Sequence, residues 1–233
     1  MDLLDQKALD AARRSLGECI LFRGLSPDER KGLVAQARIR NFSAGDTIFL
    51  MGSTGDSMMA VLKGTVRVSV PSPDGKEIVL AILRPGELLG EIALLDGKER
   101  TADARAMTAC SLAILERRAV LAFLERHPSG WLGLIEVLCS RLRLSDQQIA
   151  EIVFLDLPAR LAKTLLRMSS VVNDRTGRRI LLSQRELGNI VGSSRESINK
   201  CLRQWQRKGI VQINENELII TKRAALKALS DAD

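Results

Sequence analysis

Two stretches of the 233-residue chain carry residues whose types and spacing could do chemistry. In GEIALLDGKERTA, residues 90–102, Glu91 and Arg100 stand on either side of an apolar turn. Arg100 can grip an anion bidentately, and Thr101 can add a hydroxyl and a backbone N–H. Glu91 can accept a hydrogen bond from a hydroxyl, and Gly90 lets a backbone approach closely. The same two charges could instead tie a loop by a salt bridge, and residue types alone leave both readings open. The second stretch is LSQRELGNIVGSSRESINK, residues 182–200. Ser183 with Glu186 three residues on forms a capping box. Leu187, Ile190 and Val191 supply an apolar face, Gly192 a turn, and Ser193 and Ser194 lead into a second helix. Arg195, Glu196, Asn199 and Lys200 occupy its first two turns, while Ile198 and Leu202 face inward. Arg or Lys can bond guanine and Glu can accept from cytosine when such turns enter a major groove. The alternative is a solvated face with Glu196 and Lys200 as an i,i+4 pair.

The charge distribution bears on that choice. The net charge is +7, yet residues 1–157 hold 20 basic and 21 acidic side chains, against 15 and 7 in residues 158–233. A neutral segment followed by a basic one of +8 points to a polyanion bound by the second, nucleic acid being the commonest. Apolar residues at 45% and charged residues at 27% exclude disordered and fibrous classes. No stretch approaches the roughly 20 apolar residues of a membrane span, and the N-terminus lacks a leader pattern, so no membrane partner and a cytoplasmic location are expected. Cys19, Cys110, Cys139 and Cys201 are scattered and read as buried or half-buried free thiols. His127, the lone histidine, reads as a surface residue where a helix starts. No metal site, catalytic group or bound cofactor is expected.

Three kinds of element must position these residues. Between residues 42 and 116, runs such as TIFL, MMAVL, TVRVSV and EIVLAIL alternate with SAGD, GSTGD, LKG, SPDG, RPG and LDGK. Short strands spaced so closely predict an antiparallel barrel or jelly roll. Residues 3–14 and 117–127 have helical spacing and flank it. After Pro128, Ile135, Leu138, Leu142, Ser145, Ile149 and Ile152 recur at alternating steps of three and four. This heptad seam, on a helix of about 25 residues and about 37 Å, pairs with a second copy of itself or lies along its own barrel. Ser145 favours pairing, because a polar seam residue costs stability unless it fixes register or meets a ligand. Pro158 breaks the seam. Beyond it come a helix at residues 159–172, a basic link NDRTGRR, the two helices above, a hairpin turning at residues 214–216 and a helix at residues 222–229. Three helices and a hairpin make a winged helix-turn-helix. The expected fold is α+β, with domains at 1–127, 128–157 and 158–233.

GEIALLDGKERTA, FLDLPARLAKTLL (residues 154–166) and LSQRELGNIVGSSRESINK together resemble the cyclic-AMP receptor protein/fumarate–nitrate regulator family of bacterial transcription factors, over roughly residues 20–220. That family joins a cyclic-nucleotide barrel, a dimerising helix and a winged helix-turn-helix. The resemblance implies that Glu91 holds the ribose and Arg100 with Thr101 the phosphate, with Gly90 and Ile92 in the same cassette. It implies that Arg195, Glu196 and Lys200 meet bases beside Asn199, and that Ser183, Gln184 and Ser194 hold phosphates. Lys200 stands where the motif has arginine. The adenine-contacting positions fall on Ser145, which keeps a hydroxyl, and Asp146, which departs from the pattern. An aspartate can accept from adenine's amino group or from guanine's N1–H and N2–H₂, leaving cyclic GMP open beside cyclic AMP.

The expectation is a homodimeric regulator of a palindromic operator, controlled by a cyclic nucleotide and meeting RNA polymerase. A regulator of the same fold that binds DNA without an effector stays open. Among rivals, a redox or haem sensor lacks an N-terminal cysteine cluster. A nucleotide-processing enzyme lacks a metal site or nucleophile beside Glu91, and a module binding a protein partner conflicts with the basic C-terminal segment.

Overall fold

The computed structural model describes residues 25–72, 77–169, 179–180, 182–214 and 217–231. The expected helix at residues 3–14, Cys19, the tip of the hairpin and most of the basic link lie outside them. The chain divides into two compact units whose boundary falls between Arg143 and Leu144.

The first unit opens with α1 (Pro27–Val34), started by a Ser26–Glu29 capping box. Eight strands follow: β1 (Arg38–Phe42), β2 (Thr47–Phe49), β3 (Ser57–Lys63), β4 (Val66–Pro71), β5 (Glu77–Leu83), β6 (Leu88–Leu89), β7 (Asp103–Ala106) and β8 (Cys110–Glu116). They form two antiparallel four-stranded sheets, ordered β1-β8-β3-β6 and β2-β7-β4-β5. This is the jelly roll, with two facing sheets and no closed barrel. Alternation along β3 builds two cores. Met59 and Val61 pack between the sheets with Val66, Val68, Leu89 and Leu112. Met58, Ala60 and Leu62 point the other way, toward α3 (Arg117–Arg126) and the start of α4 (Gly130–Phe154). β3 is therefore apolar on both faces, as a strand covered on both sides must be. His127 caps the C-terminal end of α3 and bonds Glu29 at 2.8 Å, tying α1 to α3, so it closes one helix where the start of another was expected.

Leu134 and Val137 bury one side of α4 against the jelly roll, which places the first half of that helix within the first unit. The expected seam lies on another side. Ile135, Leu142, Ile149 and Ile152 are 49 to 63% exposed, Leu138 is half-buried, and Ser145 is exposed. Cys139 is also exposed, which corrects the expectation of a sheltered thiol, whereas Cys110 is buried and Cys201 half-buried.

The second unit holds the end of α4, then α5 (Leu157–Ser169), β9 (Arg179–Ile180), α6 (Gln184–Val191), α7 (Arg195–Arg207), β10 (Val211–Asn214), β11 (Glu217–Ile220) and α8 (Arg223–Ser230). The wing is a three-stranded sheet, β10-β11-β9, where the sequence pattern predicts two strands. Two residues, Arg179 and Ile180, are too few to show alternation, yet they complete the edge of β11. Ile198, Leu202 and Trp205 bury the inner face of α7. Among the described residues no helix is long and apolar enough to cross a membrane, and no cluster of metal-ligating side chains occurs.

Candidate functional site

Gly90 starts α2 (Glu91–Asp96) in the left-handed region, at φ 79°. A side chain here would be strained, and a Cβ would lie 2.3 Å from Arg100 Nη1. The absence of that Cβ lets Arg100 fold inward: Nη1 donates to the Gly90 carbonyl at 2.9 Å and Nη2 to Ser57 Oγ at 3.0 Å. Its guanidinium also covers the Phe49 ring at 4.5 Å. Arg100 is 4% exposed, so the cation lies inside the jelly roll. Burial pulls its pKa below the ordinary arginine value, opposed by Asp56 and then Glu91.

Glu91 is fully buried, and no ion pair joins it to Arg100 among the described residues. The simple loop-tying salt bridge is thus not what the two charges form. Arg141 of α4 approaches instead, with Nε 3.2 Å from Glu91 Oε1, and donates to the Leu88 carbonyl. Neither Glu91 oxygen accepts a geometrically sound hydrogen bond, and Arg100 Nε is likewise unpartnered. Burial pushes the Glu91 carboxyl above its ordinary range, offset chiefly by Arg141. Glu91, Arg100, Arg141, Ile92 and Thr101 line one cavity of about 30 Å³, room for little more than one or two waters. The set can give an anion two guanidinium edges and a hydroxyl, and a neighbouring sugar hydroxyl a carboxylate. Ile92 and Thr101 are exposed at its rim, so the cavity is narrow rather than sealed, and a ligand of nucleotide size needs it to widen. Arg141 is the member that sequence reasoning missed. An arginine on a helix surface reads as a solvated charge, and only the packing of α4 shows otherwise.

In the second unit, Ser183 caps α6 with the full capping box, and its hydroxyl both donates to Glu186 Oε2 and accepts from the Glu186 N–H. Gly192, at φ 71°, closes α6 and turns the chain into α7, whose cap Ser194 accepts from the Ser197 N–H at 3.1 Å. Arg195, Glu196 and Lys200 are exposed and Asn199 is half-exposed, all in the first two turns of α7. Glu196 and Lys200 form no ion pair among the described residues. The same face continues through Arg203 to Arg207, an open groove shared with Glu196, Asn199 and Lys200. Gln184 is half-buried at the start of α6. Ser145 and Asp146 are both exposed on α4.

A jelly roll with a buried arginine–glutamate cavity, followed by a helix-turn-helix presenting polar groups at the start of its second helix, defines a ligand-sensing DNA-binding protein. Comparison with known proteins agrees. The family model for the cyclic nucleotide-binding domain matches residues 39–127, and that for the Crp-like helix-turn-helix domain matches residues 159–229. The chain is 31% identical to the cyclic AMP receptor protein of Thermus thermophilus over 90% of its length and 96% of that protein. It is 29% identical to a CRP-like cAMP-activated global transcriptional regulator of Mycobacterium tuberculosis, over 86% of this chain and 92% of the relative. The crystal structure of the Thermus thermophilus catabolite activator protein superposes with a TM-score of 0.54 at 30% identity, covering 91% of this chain and 98% of that one. The chain belongs to the cyclic-AMP receptor protein/fumarate–nitrate regulator family. It is a DNA-binding regulator with a cyclic-nucleotide-binding domain, in a family of transcription regulators and not of enzymes.

Proposed function

We propose that the protein is a homodimeric, cytoplasmic transcription regulator whose operator binding is controlled by a cyclic nucleotide, cyclic AMP before cyclic GMP. The observation that carries this reading is the pair of unsatisfied buried groups, Arg100 Nε and the Glu91 carboxylate, lining one cavity. A buried charge without full partners costs several kcal/mol. A cyclic phosphate against Arg100 and Thr101, with its 2′-hydroxyl against Glu91, would satisfy both in one event. Cyclic AMP comes first because the Mycobacterium relative is named as cAMP-activated. Asp146 keeps cyclic GMP as the second reading, since a carboxylate suits guanine's two donors, with Ser145 beside it.

To admit a nucleotide the narrow cavity must widen. Arg100 exchanges the Gly90 carbonyl for phosphate, and Arg141, which grips both Glu91 and Leu88, must adjust. Arg141 sits on the helix that carries the seam, so ligand binding becomes a bias on how two copies pair. Pairing through Ile135, Leu138, Leu142, Ser145, Ile149 and Ile152 would hold two α7 helices about 34 Å apart on a palindromic operator. Arg195, Glu196, Asn199 and Lys200 would read bases, while Gln184 and the caps Ser183 and Ser194 place the starts of α6 and α7 against phosphates. RNA polymerase is the expected protein partner. The domains in this reading are 1–127, 128–157 and 158–233.

Calorimetric titration with cyclic AMP and with cyclic GMP tests the reading. Saturable binding of one of them is expected, weakened roughly 100-fold or more in Arg100→Ala, because the phosphate loses a buried charge partner. Silence toward both nucleotides, with operator binding intact, would leave the effector-free regulator as the correct description.

A further inference from the structure

The pattern of exposure along α4 shows more than that a second copy can pair there. Steps of three then four make Ile135, Leu142 and Ile149 the a positions of successive heptads, and Leu138, Ser145 and Ile152 the d positions. Leu134, Arg141 and Gln148 are then the g residues, and Cys139, Asp146 and Val153 the e residues. The structure separates these two flanks. Leu134 is buried in the jelly-roll core and Arg141 is half-buried over Glu91, so the g side of the first unit lies against its own sheets. The e side is bare: Cys139, Asp146 and Val153 are exposed, alongside the exposed a residues.

Two reading helices on one operator require both DNA-binding modules at the same end of the paired helices, so the pairing is parallel. In a parallel pair each g residue neighbours the partner's e residue five positions on. Leu134 then neighbours the partner's Cys139, Gln148 the partner's Val153, and Arg141 the partner's Asp146. Arg141 and Asp146 make the one pair of opposite charges among these three.

We propose that Asp146 of each copy forms an ion pair with Arg141 of the other, so that the guanidinium holding Glu91 is shared between the pocket of one protomer and the helix of its partner. This rests on the homodimer proposed above and adds a specific connection to it. Arg141 has Nε turned to Glu91 and one terminal nitrogen on the Leu88 carbonyl, which leaves further N–H donors for a second carboxylate. Asp146 makes no ion pair among the described residues. A ligand hydroxyl that hydrogen-bonds Glu91 competes with Arg141 for that carboxylate, and thereby changes how the guanidinium is held for the partner. The two-fold axis makes the contact twice, so both pockets report to the same seam.

A double-mutant cycle on the dimer dissociation constant tests this, using the full chain without nucleotide at low salt and sedimentation across a dilution series. Asp146→Asn is expected to weaken the wild-type dimer roughly three- to tenfold, the scale of two partly exposed ion pairs. In the Arg141→Gln background the same replacement should change it less than twofold, and Asp146→Glu should keep most of the wild-type affinity. An equal effect of Asp146→Asn in both backgrounds overturns the pairing while leaving the dimer standing. A wild-type chain that sediments as a monomer throughout overturns the dimer as well.

Discussion

Gly90 is the residue where backbone conformation and the proposed binding chemistry meet. At φ 79° an alanine is strained, and its Cβ would collide with the Arg100 guanidinium unless that side chain moved. Gly90→Ala is therefore expected to cost about 1 kcal/mol, a fall of roughly 2–4 °C in the melting temperature of a unit this size. It should also weaken nucleotide binding severely, because Arg100 loses its seat. Thermal melts with and without nucleotide check both parts; unchanged melting would mean that the turn relaxes freely. Gly90, Glu91 and Arg100 were legible in the sequence because charged residues around an apolar turn demand an explanation. Their actual partners were not. Ser57 and Arg141 come from β3 and α4, distant in sequence, and neither a lone serine in a strand nor an arginine on a helix announces such a contact.

The elements were read best where local signals stop and start them. The Ser183–Glu186 box and Gly192 bound α6 as the sequence predicts, and strand alternation with closely spaced turns is enough for a jelly roll. β9 was missed because two residues carry no period, and its pairing with β11 is decided by tertiary closure. Within α6 and α7 the structure also divides labour among residues that sequence reading groups together. The Ser183 hydroxyl is already spent on Glu186 in both directions, whereas Arg195 makes no ion pair among the described residues. Ser183→Ala should thus act as a lost cap, costing about 1 kcal/mol of stability with little change in sequence preference. Arg195→Ala should leave melting unchanged and cost roughly 1–3 kcal/mol of operator discrimination. Operator binding measured on wild-type and base-substituted sites, beside melting curves, separates them. A Ser183→Ala variant that melts normally yet loses affinity uniformly across sites would return that hydroxyl to phosphate binding.

At the scale of the whole molecule, a narrow cavity of about 30 Å³ and an exposed apolar seam lie on one chain, and α4 carries residues of both. Arg141 faces the cavity, and the seam runs along another side of the same 25-residue helix. A ligand can act on DNA only by binding the DNA-competent state more tightly than the other, and such coupling works in both directions. If nucleotide tightens operator binding by some factor, in the range of about 5- to 150-fold for typical coupling, then operator DNA must tighten nucleotide binding by the same factor. Calorimetry of nucleotide into the protein–operator complex, set against operator affinity measured with and without nucleotide, checks that equality. Arg141→Gln is expected to bring both factors toward one together, since it disconnects the pocket from the seam without touching α7. If nucleotide binds yet both factors equal one in the wild-type chain, the cavity binds a ligand without control over DNA, and regulation has to enter elsewhere in the molecule.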